Sequence, residues 1–476
     1  MLHWIPASSS HLHILVSVFP SVGLAFLLVL FVTALMNDNE SMKRLCLFLF
    51  AGLGVLVIPT YLSGVASIAA VVQKPDVSQA MIDAHYSWGL IAISGLVLTG
   101  VAAGVEWLRS RGTGRISASM NNIVLLLGAA TAGLMVMMVF AGHLGWEISH
   151  RELQSNAHMT NGGGSSQRWS HVHMMLNHTP TVGFVFALVV YGFALFTDNL
   201  LMKRVGLAMF VICAALIVPT YVTGAASMWA LTDPPFPGIS KGLINAHRDF
   251  ALITLFGMAF TGTAAWLELW KFRHRGSFNK NALNLILVFA VITLAIMAET
   301  GHRGGMINHP EIRTVADIVP TGEDQDSAYW TPAIEILINN VIWFVPWQTL
   351  HFFGYSLIFG TVLAVTLRVL GFWKSVPFSA VHRFLPIAVF GVLMNVFSGM
   401  LMFLADTYRY ANNTPFAPKM SMIVLGVTGA LYLSMSDRLA KVKAGEDAPM
   451  ISKAIAVLVL VAWTGVVAGG RLLPYL

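Results

Sequence analysis

The sequence predicts an all-α, polytopic membrane protein of about twelve transmembrane helices, arranged as tandem parallel four-helix bundles. Three observations carry this: the composition, the recurrence of long apolar stretches and an internal duplication. Of 476 residues, 56% are hydrophobic and 11% charged, which leaves too little polar surface to cover a soluble globule. Uncharged stretches close to the roughly 20 residues that span a bilayer recur between short polar turns, without the alternation of barrel strands. The net charge of +6 would suggest a nucleic-acid partner in a soluble protein. Here the basic residues sit in short loops between spans, where they report topology, and no nucleic acid is expected.

Hydropathy places spans at about 11–36, 44–73, 82–108, 120–148, 170–196, 204–231, 243–270 and 281–305, then at about 348–370, 381–405, 418–436 and 451–472. The first begins without a basic leader, so no cleaved signal peptide is expected. The longest polar break runs over roughly 306–345, and its segment Thr331 to Trp347 is expected to form an amphipathic helix at the interface. The chain thus divides into a first four-helix unit (1–155), a second (156–310), an outer loop (311–347) and a C-terminal four-helix unit (348–476).

One set of loops carries most of the Lys and Arg, including Lys43, Arg44, Arg109, Arg111, Lys203, Arg204, Lys271, Arg273, Lys374 and Arg438. The positive-inside rule makes that set cytoplasmic. With an even number of spans both termini face the periplasm of a bacterial inner membrane.

The first two units are one pattern written twice. Met42-Lys43-Arg44 recurs as Met202-Lys203-Arg204, and Pro59-Thr60-Tyr61 with Gly64 as Pro219-Thr220-Tyr221 with Gly224, both at an offset of 160. Ala84-His85, Glu106 and Gly142-His143 recur as Ala246-His247, Glu268 and Gly301-His302. Each unit has an even number of spans, so the copies share one orientation, unlike the inverted repeats of many transporters.

The repeat also duplicates histidines. His11, His13, His85, His143 and His150 match His171, His173, His247, His302 and His309, and the topology gathers all ten at the periplasmic end. A lone histidine there is most often a helix-capping residue, but ten in one layer point to a metal or haem site. Neutral imidazole is the usual axial ligand of b-type haem, and bis-His ligation needs two rings from different helices of a bundle. His13 and His173 are the preferred ligands on the first helices, because His11 and His13 cannot share one helix face. In the second span, Pro59 or Pro219 should kink the helix while Gly64 or Gly224 leaves room for a flat macrocycle. Cys46 and Cys213 lie inside spans and there is no C-x-x-C-H, so any haem is held non-covalently. Glu106 and Glu268, beside basic loops, are read as helix-end salt-bridge residues rather than proton relays. The 24 methionines are scattered through the spans and are read as packing.

The pattern His173-x4-His178-Thr-Pro180, then Ala246-His247, then Gly301-His302-x-Gly-Gly305 and His309 resembles an uncharacterised four-helix membrane-domain family whose members often occur fused to, or beside, c-type cytochrome domains. The resemblance covers both repeats and implies haem binding. Unit one departs from it at Val18, where unit two has His178, and at Trp146, where it has Gly305. The last four spans resemble a third, more distant unit, similar to small membrane proteins whose first helix carries a histidine near its outer end, here His351 after Trp343 and Trp347. His382 falls at the opposite end, roughly 30 Å away by helix length, and is read with Arg383 as interfacial.

Three function classes follow. The preferred one is an electron-transfer subunit of an oxidoreductase complex, which carries two to four haem b groups and passes electrons between quinol and a periplasmic c-type cytochrome or partner enzyme. Its other contacts would be membrane lipid and further subunits of a membrane redox complex, with Glu323, Asp324 and Asp326 as a candidate acidic docking patch. The second is copper or zinc handling by the same histidines, although no chain of acidic, cysteine or paired methionine ligands crosses the bilayer. The third is a cofactor-free anchoring subunit.

Overall fold

Long apolar stretches joined by short capped turns leave a chain in lipid one economical option, which is to pack each helix against the next. The computed structural model describes residues 6, 8–73, 77–140, 148, 150, 165–232, 239–313 and 329–473. Among these, twelve spans are long and apolar enough to cross a membrane and no strand occurs. The first unit comprises α1 (Ser9–Met36), α2 (Glu40–Val71), α3 (Gln79–Thr113) and α4 (Ala118–Phe140). The second comprises α5 (Ser165–Leu176) and α6 (His178–Thr197), which together make one span interrupted at Asn177, then α7 (Leu200–Thr232), α8 (Lys241–Arg275) and α9 (Lys280–Asn308). After a short α10 (Trp330–Ile338) come α11 (Val341–Leu370), α12 (Phe378–His382), α13 (Leu385–Ala405), α14 (Thr407–Ala411), α15 (Phe416–Met435), α16 (Asp437–Ala440) and α17 (Met450–Leu472).

Side-chain caps set many of the starts. Ser8, Asn39, Ser78, Asn279 and Asn340 each accept a hydrogen bond from a backbone N–H in the first turn. α3 and α8 both end on a left-handed glycine, Gly114 and Gly276, each with φ +73°. The Asn340 cap explains one difference from the sequence expectation. The stretch 331–347 is not one interfacial helix: α10 stops at Ile338 and the long span starts at Val341, taking Trp343 and Trp347 with it. The acidic residues 323–326 lie outside the described residues.

In each of the first two units the four spans close into a ring, first against second, second against third, third against fourth and fourth against first. The backbones of α2 and α3 nearly touch: a Cβ on Gly54 would lie 2.9 Å from Gly100 Cα. Gly262 of α8 meets Ala214 of α7 in the corresponding place.

The two units meet through α1 and α6 about a pseudo-two-fold axis. Phe186 packs where a Cβ on Gly23 would be, and Phe26 does the same at Gly183. The two Phe rings stack with centroids 6.2 Å apart. Near the basic end, the Asn39 and Asn199 amides bond reciprocally at 3.4 and 3.3 Å. Near the opposite end His150 and His309 meet edge to face, centroids 6.3 Å apart. In every one of these contacts a residue of one unit touches its own counterpart, or its counterpart's neighbour, in the other, as an isologous interface requires.

The third bundle is fastened to unit two at the basic end. Arg204 and Arg273 both bind Asp437, at 3.1 and 2.6 Å. Burial opposes ionisation of this carboxyl, but the two guanidinium groups outweigh it and hold its pKa below the usual range. At the histidine end, α10 is pinned to α8. Asp249 accepts from Trp330 N and Thr331 N at 2.9 and 2.7 Å, which satisfies orphan donors at the start of that helix, and Arg248 pairs with Glu335.

Candidate functional site

The histidine ends of α1 and of unit two enclose a cavity of about 450 Å³, within the size range of ligand and cofactor sites. His11, His150, His173, His178, His247, His302 and His309 all line it. Its walls are otherwise mainly apolar or small, with Thr220, Gly224, Gly301, Gly304 and Gly305 among them, and its one Arg or Lys side chain among the described residues is Arg248.

A repeated local device orients the key imidazoles. Nδ1 of His13 lies 2.9 Å from the Thr60 carbonyl, that of His173 lies 3.1 Å from the Thr220 carbonyl, and that of His247 lies 3.0 Å from the Thr300 carbonyl. A carbonyl can only accept, so in each ring Nδ1 carries the proton and Nε2 keeps its lone pair. The same rings lie against glycines. A Cβ on Gly64, Gly224 or Gly304 would sit 2.8, 2.7 or 2.9 Å from Cε1 of His13, His173 or His247. Each glycine follows the residue whose carbonyl accepts by four positions, one helical turn later and on the same face. The bare backbone is what lets an imidazole reach a carbonyl already engaged in its helix. The sequence signal is Thr-x3-Gly at 60–64, 220–224 and 300–304; where the sequence reading takes Gly64 and Gly224 as open space for a macrocycle, the structure has an imidazole ring lying against each of them.

Within unit one His13 and His85 are electrostatic neighbours, and within unit two His173 and His247 are. Each pair joins the first and third spans of its bundle. A different pair crosses between units: the rings of His11 and His302 lie 5.2 Å apart at 31°. In the sequence repeat this pair corresponds to His171 and His143, of which His143 lies outside the described residues. His171 is half-buried and does not line the cavity. His150 is oriented in the opposite sense to the ring-on-glycine histidines, because the Asn308 amide donates to its Nδ1 at 2.8 Å, which places its proton on Nε2. His178 opens α6 and faces the cavity.

The remaining candidates separate from this layer. Glu106 is buried, binds Arg109 through both oxygens at 2.6 and 2.7 Å, and accepts from Ser117 N. Glu268 accepts from Asn279 N in the matching place. Both carboxylates therefore fasten the turn after the third span. His382, read from sequence as interfacial, is 2% exposed. Its Nε2 donates to the Ser434 carbonyl at 3.0 Å, and its Nδ1 accepts from Nε2 of His274 at 3.0 Å. It is enclosed between α8 and α15, and its partner His274 is distant along the chain.

The arrangement offers pairs of imidazoles with fixed tautomers beside an apolar cavity. Among the described residues no group of three or more His, Cys, Asp or Glu side chains is placed to hold a bare metal ion. Two nitrogen donors on different helices, flanked by glycine and an apolar wall, are the donor set that a planar group ligated from its two faces would require. Comparison with family models, with curated proteins and with solved structures finds no match, so the functional reading rests on these paired histidines.

Proposed function

We propose that the protein is a membrane-embedded b-type haem electron-transfer subunit, which passes electrons between membrane quinol and a periplasmic cytochrome or partner enzyme. The observation that carries the reading is the repeated histidine with Nδ1 donated to a helix carbonyl and Nε2 left as a lone pair. That is how protein scaffolds fix the tautomer and orientation of a metal-ligating imidazole. His13 with His85 and His173 with His247 would each supply two axial ligands. When bound, haem supplies one-electron redox chemistry, and the chain supplies ligands, a low-dielectric setting and a docking surface.

Arg248 supports a carboxylate-bearing occupant of the cavity. It is 5% exposed, it lines the cavity, and its Nε–H has no acceptor among the described residues. A buried donor without a partner costs stability, and a ligand carboxylate would satisfy it. The sidedness follows from the positive-inside rule, which puts the histidine layer on the periplasmic side of a bacterial inner membrane.

The test is a dithionite-reduced minus oxidised spectrum of the full chain purified from its native membranes, with a pyridine haemochrome count. Two or more b-type haems per chain are expected. Protein without haem would overturn the reading.

A further inference from the structure

We propose that the third bundle holds a haem of its own, ligated by His351 on one face and by Lys419 on the other. This rests on the reading of the first two units as haem-binding.

The case begins with register. His13 bonds to Thr60 and His173 to Thr220, in both cases 47 residues on and from the first span to the second. His351, on the first span of the third bundle, bonds through Nδ1 to Ser398 on the second span at 3.1 Å, again 47 residues on. Ser398 Oγ already donates to the Met394 carbonyl at 2.7 Å, so towards His351 it acts as acceptor. Nδ1 of His351 is therefore protonated and Nε2 carries the lone pair, as in the other two bundles. The ring again lies against a glycine, here the one next to Ser398: a Cβ on Gly399 would lie 2.9 Å from His351 Cε1.

In the first two units the second ligand opens the third span, as His85 in α3 and His247 in α8. The third bundle has no histidine in α15. Its first turn carries Lys419, an electrostatic neighbour of His351. His247 packs on Gly304 of the fourth span, and Lys419 packs on Gly469 and Gly470 of α17, the fourth span here. No ion pair or side-chain hydrogen bond of Lys419 occurs among the described residues, which is unusual for an ammonium within a bundle. The lysine thus stands on the third span, as the second histidine does in the other units, about one turn nearer the helix start, and shares its contact with fourth-span glycines.

A neutral lysine amine is a nitrogen donor like imidazole. For Lys419 to ligate, the ammonium releases one proton to the outer aqueous phase and its nitrogen lone pair forms the bond to iron, with no change in iron oxidation state.

The experiment uses the full-length protein in detergent, with haem counting and electron paramagnetic resonance of the oxidised form. His351→Ala should remove one haem per chain and leave those of the first two units, whose signals also report correct folding. Lys419→Ala should keep the haem count but convert one haem from low-spin to high-spin, and Lys419→His should return it to low-spin with a bis-imidazole signature. If His351→Ala and Lys419→Ala both leave haem count and spin state as in the wild type, while His173→Ala removes its own haem, the third site is overturned and the reading of the first two units stands. A wild-type chain without haem overturns both.

Discussion

Units one and two repeat each other down to the left-handed aspartates that end their first spans, Asp38 and Asp198, yet they sit in different surroundings. Unit two is central, with α1 on one side and α13 and α15 on the other. The most apolar windows of α7 and α8 are 67% and 50% buried, whereas those of α2 and α3 are 39% and 28% buried. Unit two also has Arg248 and Asp249 where unit one has Tyr86 and Ser87, so it alone receives α10 and the cavity cation. In unit one, Tyr86 instead bonds to Tyr61 through their hydroxyls at 2.8 Å. The same ligand device is thus set once in an insulated interior with a positive charge and once at an edge facing lipid. On the proposed reading, the edge site would be the one to meet a lipid-borne quinol and the interior one would pass electrons on.

The sharpest way to break this comparison is to delete the ligands. His173→Ala or His247→Ala should each cost one whole haem from unit two. His13→Ala or His85→Ala should cost the one in unit one, as read by haemochrome counting. If a substitution in one unit empties both, the units are not independent sites.

A smaller effect should distinguish the interiors. Low dielectric and a nearby guanidinium both disfavour the more positive, oxidised state of a bound haem, so the unit-two centre should have the higher midpoint potential. Arg248→Met should lower it, on the order of 60 mV for a tenfold change in a one-electron equilibrium, and leave unit one's potential in place. A redox titration in which both centres move together would remove the distinction.

The glycine seats give a subtler test, because ligand geometry and helix stability should move in opposite directions. Gly224→Ala places a methyl group against His173 and should lower unit-two haem occupancy, although alanine favours an α-helix over glycine by up to ~1 kcal/mol. Gly64→Ala should do the same in unit one. Retained occupancy with raised thermal stability would mean that the ring contact is ordinary packing.

The smallest effect concerns the third bundle's basic end. Lys374 and Lys453 bond to Asp447 at 2.8 Å each and pull its pKa down to about 2. A carboxyl with a depressed folded-state pKa stabilises the fold above its unfolded value and loses that contribution as pH falls through the folded one. The wild-type advantage over Asp447→Asn should therefore be constant near neutrality and fade between about pH 4 and 2, and melting curves would check this. The pair is exposed, so the difference should be slight.

The twelve spans and the duplication were legible in the sequence because lipid enforces the first through simple hydropathy and the second leaves matching residues at fixed offsets. The seven histidines that line one cavity could be named from the sequence for the same reason. What escaped was information carried between elements far apart in sequence. Nothing local in α15 marks Lys419 as a neighbour of His351, and nothing in Gly304 alone reports that His247 lies against it. The contacts of Phe26 with Gly183 and of Phe186 with Gly23 were likewise invisible, because an offset of 160 reveals that two segments are alike but not that they touch. The boundary near 340 was missed because the apolar run of α11 begins before the hydropathy window recognises it, whereas the asparagine cap marks it directly.

The counterpart-to-counterpart contacts between α1 and α6 have a further consequence. Separate copies of such a unit could pair through this face only as far as their concentration in the bilayer allowed. A covalent tandem replaces that condition with a fixed local concentration, so a seam of a few ring, glycine and amide contacts suffices. Freed from having to serve both sides of its own interface, each copy can then specialise, and Arg248 opposite Tyr86 shows where this chain has done so.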